Sequence, residues 1–469
     1  MKHQNEKSAD RLVSELIHEL REYFDSGTTR SYEWRTSQLL GLNRFLDERE
    51  KDIYDALQSD FRKPRAEVFF TEIHYLMTEI QVALKHLKSW MRPRKVVTPL
   101  RYQPGRSYYF REPYGVVLVM GAWNYPLQLS IAPAINAIAA GNCLVIKPSE
   151  QAPAISGLLA EALDRYLDER AIKVFLASLE ESRELLDASF DYIFFTGGSS
   201  TGKQVMEKAA KNLTPVTLEL GGKNPCVVDR RTNVPVTARR IVWAKFLNAG
   251  QTCIAPDYVL VHRDAEDELL SCMKSAIDTF YGTIPERSKD YPAIITPERL
   301  ERLAGYLFDG VVVTGGSIDP ERLYCAPTVL RSVSPRSRVM KEEVFGPILP
   351  VLSYSTPDEA LAVIRSVRHP LAVYIFSRDR SFQQYMLENT RSGGVCINDL
   401  MFQAAIPALP FGGAGESGMG VYHGKAGFET FSRSRSVHVK RTFPENTLRY
   451  PPFSEAKFTW LRKLFRLFR

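Results

Sequence analysis

Residues 113–150 read PYGVVLVMGAWNYPLQLSIAPAINAIAAGNCLVIKPSE. Two runs within this stretch, 116–120 and 143–146, have strand length and β-branched content, and helix-like sequence lies between them. The rhythm continues outward. Strand-length runs recur at 171–175 and 192–195, with a helical pattern at 153–166. Strands alternating with helices specify an α/β protein built on a parallel, doubly wound sheet. A second series, with strands at 258–262, 311–313, 373–376 and 393–397, predicts a second α/β unit. Upstream, residues 10–88 mix charged and apolar positions at helical spacing with few glycines, which reads as two or three amphipathic helices. Residues 93–111 are rich in Pro, Gly, Tyr and Arg and read as a loop and an extended strand.

A chain of 469 residues exceeds one core and implies two or three domains. Its 61 basic and 54 acidic residues leave a net charge of +7, interspersed along the chain, so nothing singles out nucleic acid as a partner. Cys143, Cys226, Cys253, Cys272, Cys325 and Cys396 form no CxxC pair and have irregular spacing. That argues against a metal site or a disulfide framework and for a reduced, cytoplasmic setting. The N-terminus lacks the apolar run of a secretory signal, and no stretch reaches the ~18–20 apolar residues of a membrane span.

Cys253 lies in FLNAGQTCIAPD and Glu219 in VTLELGGKNP. A cysteine thiolate attacks carbonyl carbon, and a nearby carboxylate takes a proton from the thiol or from water. Either residue alone is more often structural. Both runs, however, place glycines beside the reactive group, where backbone can approach a ligand closely. Glu219 and Leu220 also fall at the junction of the two α/β series, where ligands commonly bind. The strand at 192–195 runs into TGGSSTGK at 196–203, ahead of a helical pattern. Such a turn presents free N–H groups to phosphate oxygens. Its spacing is not GxGxxG. Gly197, Gly202 and Lys203 approach the phosphate loop of nucleoside triphosphatases, but Gln204 has no hydroxyl for magnesium. A nucleotide-binding protein or triphosphatase is the alternative from a different class. Lys147 and Glu150, in IKPSE, follow a strand at its carboxyl end, where open α/β sheets bind ligands. Cysteine-protease chemistry lacks its partner: of eight histidines only His423 sits beside a Gly-rich run.

These runs, together with EEVFGP at 342–347 and LPFGGAGESGMG at 409–420, resemble the NAD(P)-dependent aldehyde dehydrogenase superfamily over residues 23–439. The continuation VYHGKAGFETFS resembles its class 3 branch of fatty- and aromatic-aldehyde enzymes. The resemblance implies a dinucleotide-binding domain at 1–98 and 114–219, a catalytic domain at 220–428, a small β oligomerisation element at 99–113 and 429–445, and a homodimer. It implies Cys253 as nucleophile, Glu219 as the base that activates water, and the Asn124 amide as oxyanion donor. Cofactor contacts fall on Trp123, Lys147, Glu150, Gly197, Gly198, Ser199, Gly202, Leu220, Glu343 and Phe345. Lys147 and Glu150 match contacts to the adenosine ribose. An acidic residue there disfavours a 2′-phosphate, so NAD is expected, with NADP possible. Glu343 matches the nicotinamide-ribose contact, and Phe345 packs beside the ring. Tyr125, Phe70 and Phe411, with Phe69, fall near the family's substrate funnel, which fits a medium- or long-chain aliphatic or an aromatic aldehyde. Asn224 stands where relatives more often have Ser.

Residues 446–469 end in KFTWLRKLFRLFR. Leu461, Leu464, Phe465 and Phe468 fall on one helical face, and Arg462, Lys463, Arg466 and Arg469 on the other. This is the pattern of a basic amphipathic helix that lies at an anionic membrane interface or docks on protein. It is too short to span a bilayer.

Overall fold

The parallel sheet expected around residues 113–150 is present in the computed structural model. It describes residues 2–467 apart from 368, 444 and 446, and leaves the side chains of 2–12, 101, 464, 465 and 467 undescribed. Six strands form the sheet in the order Gly418–Met419, Val216–Leu220, Tyr192–Gly197, Val116–Met120, Cys143–Lys147, Ile172–Val174. All neighbours are parallel except the edge pair, where Gly418–Met419 runs antiparallel to Val216–Leu220. Val116–Met120 and Cys143–Lys147 are buried along their whole length, as a sheet covered on both faces requires. The helix joining them, Pro126–Ala140, begins with Pro in its first turn and ends on Gly141 at φ 91°, the asymmetry that favours Pro at helix starts and Gly just past helix ends.

The N-terminal region holds more helices than the sequence pattern resolves: Lys2–Asp25, Tyr32–Glu48, Glu50–Phe61 and His74–Trp90. A single residue, Arg49, separates two of them, so no Gly or Pro marks that break. Between Phe61 and His74 the chain makes a short α-turn, Arg65–Val68, and a π-helical turn, Phe69–Ile73.

The second sheet runs Val311–Thr314, Thr328–Arg331, Ile348–Tyr354, Tyr258–His262, Pro225–Val228, Ala372–Phe376, Gly394–Ile397. It is parallel except for the edge pair formed by Val311–Thr314 and Thr328–Arg331. A third, antiparallel sheet joins Arg94–Val96, Gly105–Pro113 and Ser432–Lys440. The sequence expectation groups residues up to 428 with the second unit, but residues 418–431 return to the first. Gly418–Met419 joins its sheet, and Tyr422, Phe428 and Phe431 pack in its core. The apolar surface of those three aromatics decides their place, and no local sequence signal marks the return.

The tail forms the helix Glu455–Leu467, with Phe458 and Trp460 about half exposed. Phe468, Arg469 and the side chains of Leu464 and Phe465 lie outside the described residues. No described helix is long and apolar enough to cross a membrane.

Candidate active site

Cys253 follows the helix Val234–Phe246 through the segment Leu247–Gly250. Asn248, Ala249 and Gly250 are consecutively left-handed, at φ 53°, 50° and 72°. Such backbone costs a residue with a β-carbon roughly 1–2 kcal/mol, so the run persists only where its surroundings hold it. At Gly250 a β-carbon would overlap the Gly346 carbonyl. The loop is closed by amides. Gln251 Nε2 donates to the carbonyls of Asn248 (3.1 Å) and Ala293 (3.0 Å), and its Oε1 accepts from Ile295 N–H (3.1 Å). Asn248 Nδ2 donates to the carbonyls of Asn124 (2.9 Å) and Gln251 (3.1 Å), while Asn124 Nδ2 donates to the Gln251 carbonyl (3.0 Å). Past Cys253, Asn224 Nδ2 donates to the carbonyls of Cys253 (2.7 Å) and Ala255 (3.0 Å), and its Oδ1 accepts from Ala372 N–H (2.9 Å).

Cys253 is partly exposed. Burial of its sulfur pushes the thiol up to about 12, with the carboxylates of Glu343 and Glu219 adding to the shift and the N–H groups of Cys253 and Ile254 opposing it. Glu219, at the end of Val216–Leu220, is buried, and neither carboxyl oxygen has a hydrogen-bond partner among the described residues. Burial raises its pKa well above the ordinary carboxylate range. A carboxyl kept dry and unpartnered is costly. It gains affinity for protons, which is what a general base near neutral pH needs.

On the opposite side, strand Tyr192–Gly197 leads into helix Ser199–Lys211. The N-cap there is Gly198, which has no side chain to occupy the first-turn N–H groups. Ser199 Oγ reaches the Glu416 carbonyl at 3.5 Å. A β-carbon on Gly202 would lie 2.7 Å from Leu220 Cδ2, so glycine lets this helix close onto the buried end of the Glu219 strand. Thr196 Oγ1 is buried without a partner among the described residues at the same carboxyl end, and Lys147 and Glu150 form an ion pair at the end of the next-but-one strand. An uncapped helix N-terminus, an orphaned hydroxyl and a Lys–Glu pair fit the pyrophosphate and ribose hydroxyls of a dinucleotide.

Between this cradle and Cys253 lies the turn carrying Glu343 and Phe345. The Glu343 carboxyl presses on Gly221, where a β-carbon would overlap it. Burial pushes it up to about 8, with Asp257 adding and the Gly222 N–H opposing. Phe345 has φ 46° and meets the Trp123 ring edge-on at 5.4 Å, while the Arg299 guanidinium lies 4.3 Å over Trp123. Arg302 donates to the Val344 carbonyl (3.0 Å), and Lys223 to those of Val339 (2.6 Å) and Glu342 (2.8 Å). Lys223 also pairs with Asp257, which accepts from Val344 N–H (3.0 Å).

Tyr125 OH bonds Thr252 Oγ1 (2.7 Å), next to Cys253. Phe411 packs against both cores and stacks on His423 at 5.1 Å. His423 bonds Tyr75 OH at 2.6 Å, and burial lowers it to about 3, so it stays neutral and is no ion-pair partner for a thiolate. Phe69 and Phe70, on the π-helical turn, are 44% and 42% exposed. The sequence reading passes over the amides Asn248 and Gln251, although hydrogen-bonding side chains inside a Gly-containing loop are a usable signal. It also assigns no role to Asn224. Arg299 and Arg302 sit on an ordinary helix, Pro297–Tyr306, and carry no local signal at all.

The aldehyde dehydrogenase family model matches residues 4–437. Aldehyde dehydrogenase family 3 member H1 of Arabidopsis thaliana is 44% identical over 457 residues, covering 96% of this chain and 94% of that protein. Family 3 member B1 of Rattus norvegicus is 45% identical over 440 residues, covering 93% and 94%. The Rattus norvegicus protein named "aldehyde dehydrogenase, dimeric NADP-preferring" is 42% identical over 447 residues, covering 95% and 98%. The substrate-bound structure of Staphylococcus aureus AldH superposes with a TM-score of 0.93 at 40% identity, covering 96% of this chain and 99% of that one. The nucleoside-triphosphatase alternative finds no support among these relatives. The chain belongs to the aldehyde dehydrogenase family, enzymes that use NAD(P) to oxidise aldehydes to carboxylic acids.

Proposed function

We propose that the reaction runs through a covalent intermediate on Cys253, with Glu219 as base and Asn124 as oxyanion donor. The observation that carries this reading is Glu219: a buried, unpartnered carboxyl that perturbs the Cys253 thiol. Glu219 takes the thiol proton as Sγ attacks the aldehyde carbon, which gives a tetrahedral thiohemiacetal. The Asn124 amide has two hydrogens. One is spent on the Gln251 carbonyl, which orients the group, and the other is left for the oxyanion beside the Cys253 N–H. One such donor contributes about 10²–10³ in rate. When bound, NAD(P) would supply the hydride acceptor for this carbon. Lys147 and Glu150 would hold the adenosine ribose, with Glu150 favouring NAD over NADP by repelling a 2′-phosphate. Gly197, Gly198, Ser199 and Gly202 would admit the pyrophosphate, and Glu343, Phe345, Trp123 and Leu220 would frame the nicotinamide end. The thioester then left on Cys253 needs water. Glu219 sheds its first proton to solvent, takes one from the attacking water, and the carboxylic acid departs as the thiolate is expelled.

The aromatic groups Tyr125 and Phe411, with Phe69 and Phe70 exposed on the π-helical turn, support a medium- or long-chain aliphatic or an aromatic substrate. The exposed three-stranded sheet, and a relative described as dimeric, support a homodimer. We place the protein in the cytoplasm with its tail helix resting on anionic membrane through Phe458, Trp460, Lys457, Arg462 and Lys463. Truncation after Ala456 is expected to release it from anionic vesicles; unchanged vesicle binding would refute the attachment.

The deciding experiment is NADH production with a panel of aldehydes, wild type beside Cys253→Ala. Activity that vanishes in the variant supports the nucleophile. Equal activity in both would assign the chemistry to another residue.

A further inference from the structure

Two buried carboxylates near the site have no part in the chemistry above. Glu67 Oε2 accepts from Asn248 N–H at 3.0 Å, at the start of the left-handed run that leads to Cys253. Glu72 Oε2 accepts from Leu127 N–H (3.0 Å) and Gln128 N–H (3.2 Å) in the first turn of Pro126–Ala140, directly after Asn124 and Tyr125. Tyr125, the N-cap, supplies no side-chain cap of its own, so Glu72 caps this helix from another element. Its second oxygen pairs with the fully buried Lys63 at 2.6 Å, and Lys63 lies 3.9 Å over the Tyr125 ring. One carboxylate therefore grips each half of the site.

Glu67 and Glu72 are five residues apart. On a regular α-helix that spacing turns them about 140° from each other. Here Glu67 lies on the short α-turn Arg65–Val68 and Glu72 within the π-helical turn Phe69–Ile73. Its i→i+5 bonding widens the turn, which reduces that angle and brings both carboxylates toward one face. Asn248 links the two grips: its N–H is held by Glu67, and its side chain donates to the Asn124 carbonyl at 2.9 Å.

We propose that Glu67 and Glu72 are positioning residues that set the separation between Cys253 and Asn124, with the π-helical turn as the element that aligns them. This deepens the mechanism proposed above and rests on it. Without Glu67 the Asn248 N–H loses its acceptor, the left-handed run is free to relax, and the nucleophile shifts against the oxyanion donor. A misplacement of roughly 1 Å costs on the order of 10² in rate.

The test compares Glu67→Ala and Glu67→Gln in the full-length protein. The Ala variant is expected to lower kcat about 10- to 100-fold while KM for NAD stays put, because the cofactor cradle lies on other strands. Glutamine keeps a carbonyl acceptor and is expected to recover most of the loss. If the Ala variant does not fold, Glu67→Asp retains the charge and withdraws the acceptor by one methylene, and the same split between kcat and KM is expected. A folded Ala or Asp variant with kcat within about twofold of wild type overturns the positioning role. So does a loss spread over kcat and both KM values that Gln does not rescue, which marks general disruption. A wild type inactive with every aldehyde would instead overturn the mechanism on which this inference rests.

Discussion

Replacing Asn224 by Ala tests how Cys253 is held. The side chain is buried and bridges two segments: it donates to the carbonyls of Cys253 and Ala255 and accepts from the N–H that opens strand Ala372–Phe376. Alanine removes all three bonds at once. Each buried group left without a partner costs roughly 1–3 kcal/mol, so three of them amount to about 3–6 kcal/mol after partial relaxation. The loss divides between two observables. The orphaned Ala372 N–H weakens the second sheet and lowers the thermal midpoint. The freed Cys253 carbonyl lets Sγ drift from Asn124, and kcat is expected to fall by about 10². Asn224→Asp separates the two effects, since it keeps the acceptor for Ala372 but sets an oxygen against both loop carbonyls. It is expected to lose at least as much kcat as Ala. The assay is steady-state NADH production with kcat and KM resolved, alongside the rate at which iodoacetamide labels Cys253 and a thermal melt. An Ala variant with kcat within about twofold of wild type and an unchanged labelling rate would refute the reasoning.

Three further outcomes are expected. Gly221→Ala drives a β-carbon into the Glu343 carboxyl, so KM for NAD rises about tenfold or more with the melt little changed; an unaltered KM would remove Glu343 from the cofactor site. Burial raises Glu343 to about 8, and Glu67 and Glu79 to about 7, from a starting value of 4.5. The folded state therefore binds these protons more tightly than the unfolded chain, and that stabilisation is complete below pH 4.5 and lost as pH rises through 7–8. The thermal midpoint should accordingly fall between acidic and mildly alkaline buffer, and Glu79→Gln should flatten part of the slope; a midpoint that rises over that interval contradicts this. Lys63→Met leaves Glu72 as an uncompensated buried carboxyl and is expected to destabilise by roughly 3–5 kcal/mol in urea titration, so an unshifted midpoint would show that the pair contributes nothing.

The strands at Val116–Met120 and Tyr258–His262 are legible in the sequence because β-branched runs there are bounded by turn residues. Pro225–Val228 and Ile348–Tyr354 are not, because each contains a proline, which ordinarily argues against an interior strand. The structure fits Pro350 into a parallel pairing opposite Leu330. Cys253 and Glu219 stand out because glycines flank them. Glu67 and Asn224 do not: Glu67 finds Asn248 181 residues away, and Asn224 joins Cys253, 29 residues on, to Ala372, 148 residues on, so only the folded chain brings the partners together. The π-helical turn is equally invisible: FFTEI reads as ordinary amphipathic helix, and only its hydrogen-bond register distinguishes it.

Two loops of the site that touch both carry left-handed backbone. Asn248 and Ala249 are left-handed on the Cys253 side, and Phe345 is left-handed on the Glu343 side. At roughly 1–2 kcal/mol each, the three residues hold about 3–6 kcal/mol that unconstrained loops would release. Gly250 lies against the Gly346 carbonyl, so neither loop can relax into the other. Asp257, four residues past Cys253, holds Val344 N–H and pairs with Lys223, which in turn holds the carbonyls of Val339 and Glu342. The positions of Cys253 and the Glu343–Phe345 turn are therefore not independent variables: each is fixed by bonds that also fix the other. That arrangement opposes reorganisation when charge develops on the substrate oxygen, and fixing dipoles before the reaction is what makes an oxyanion donor effective.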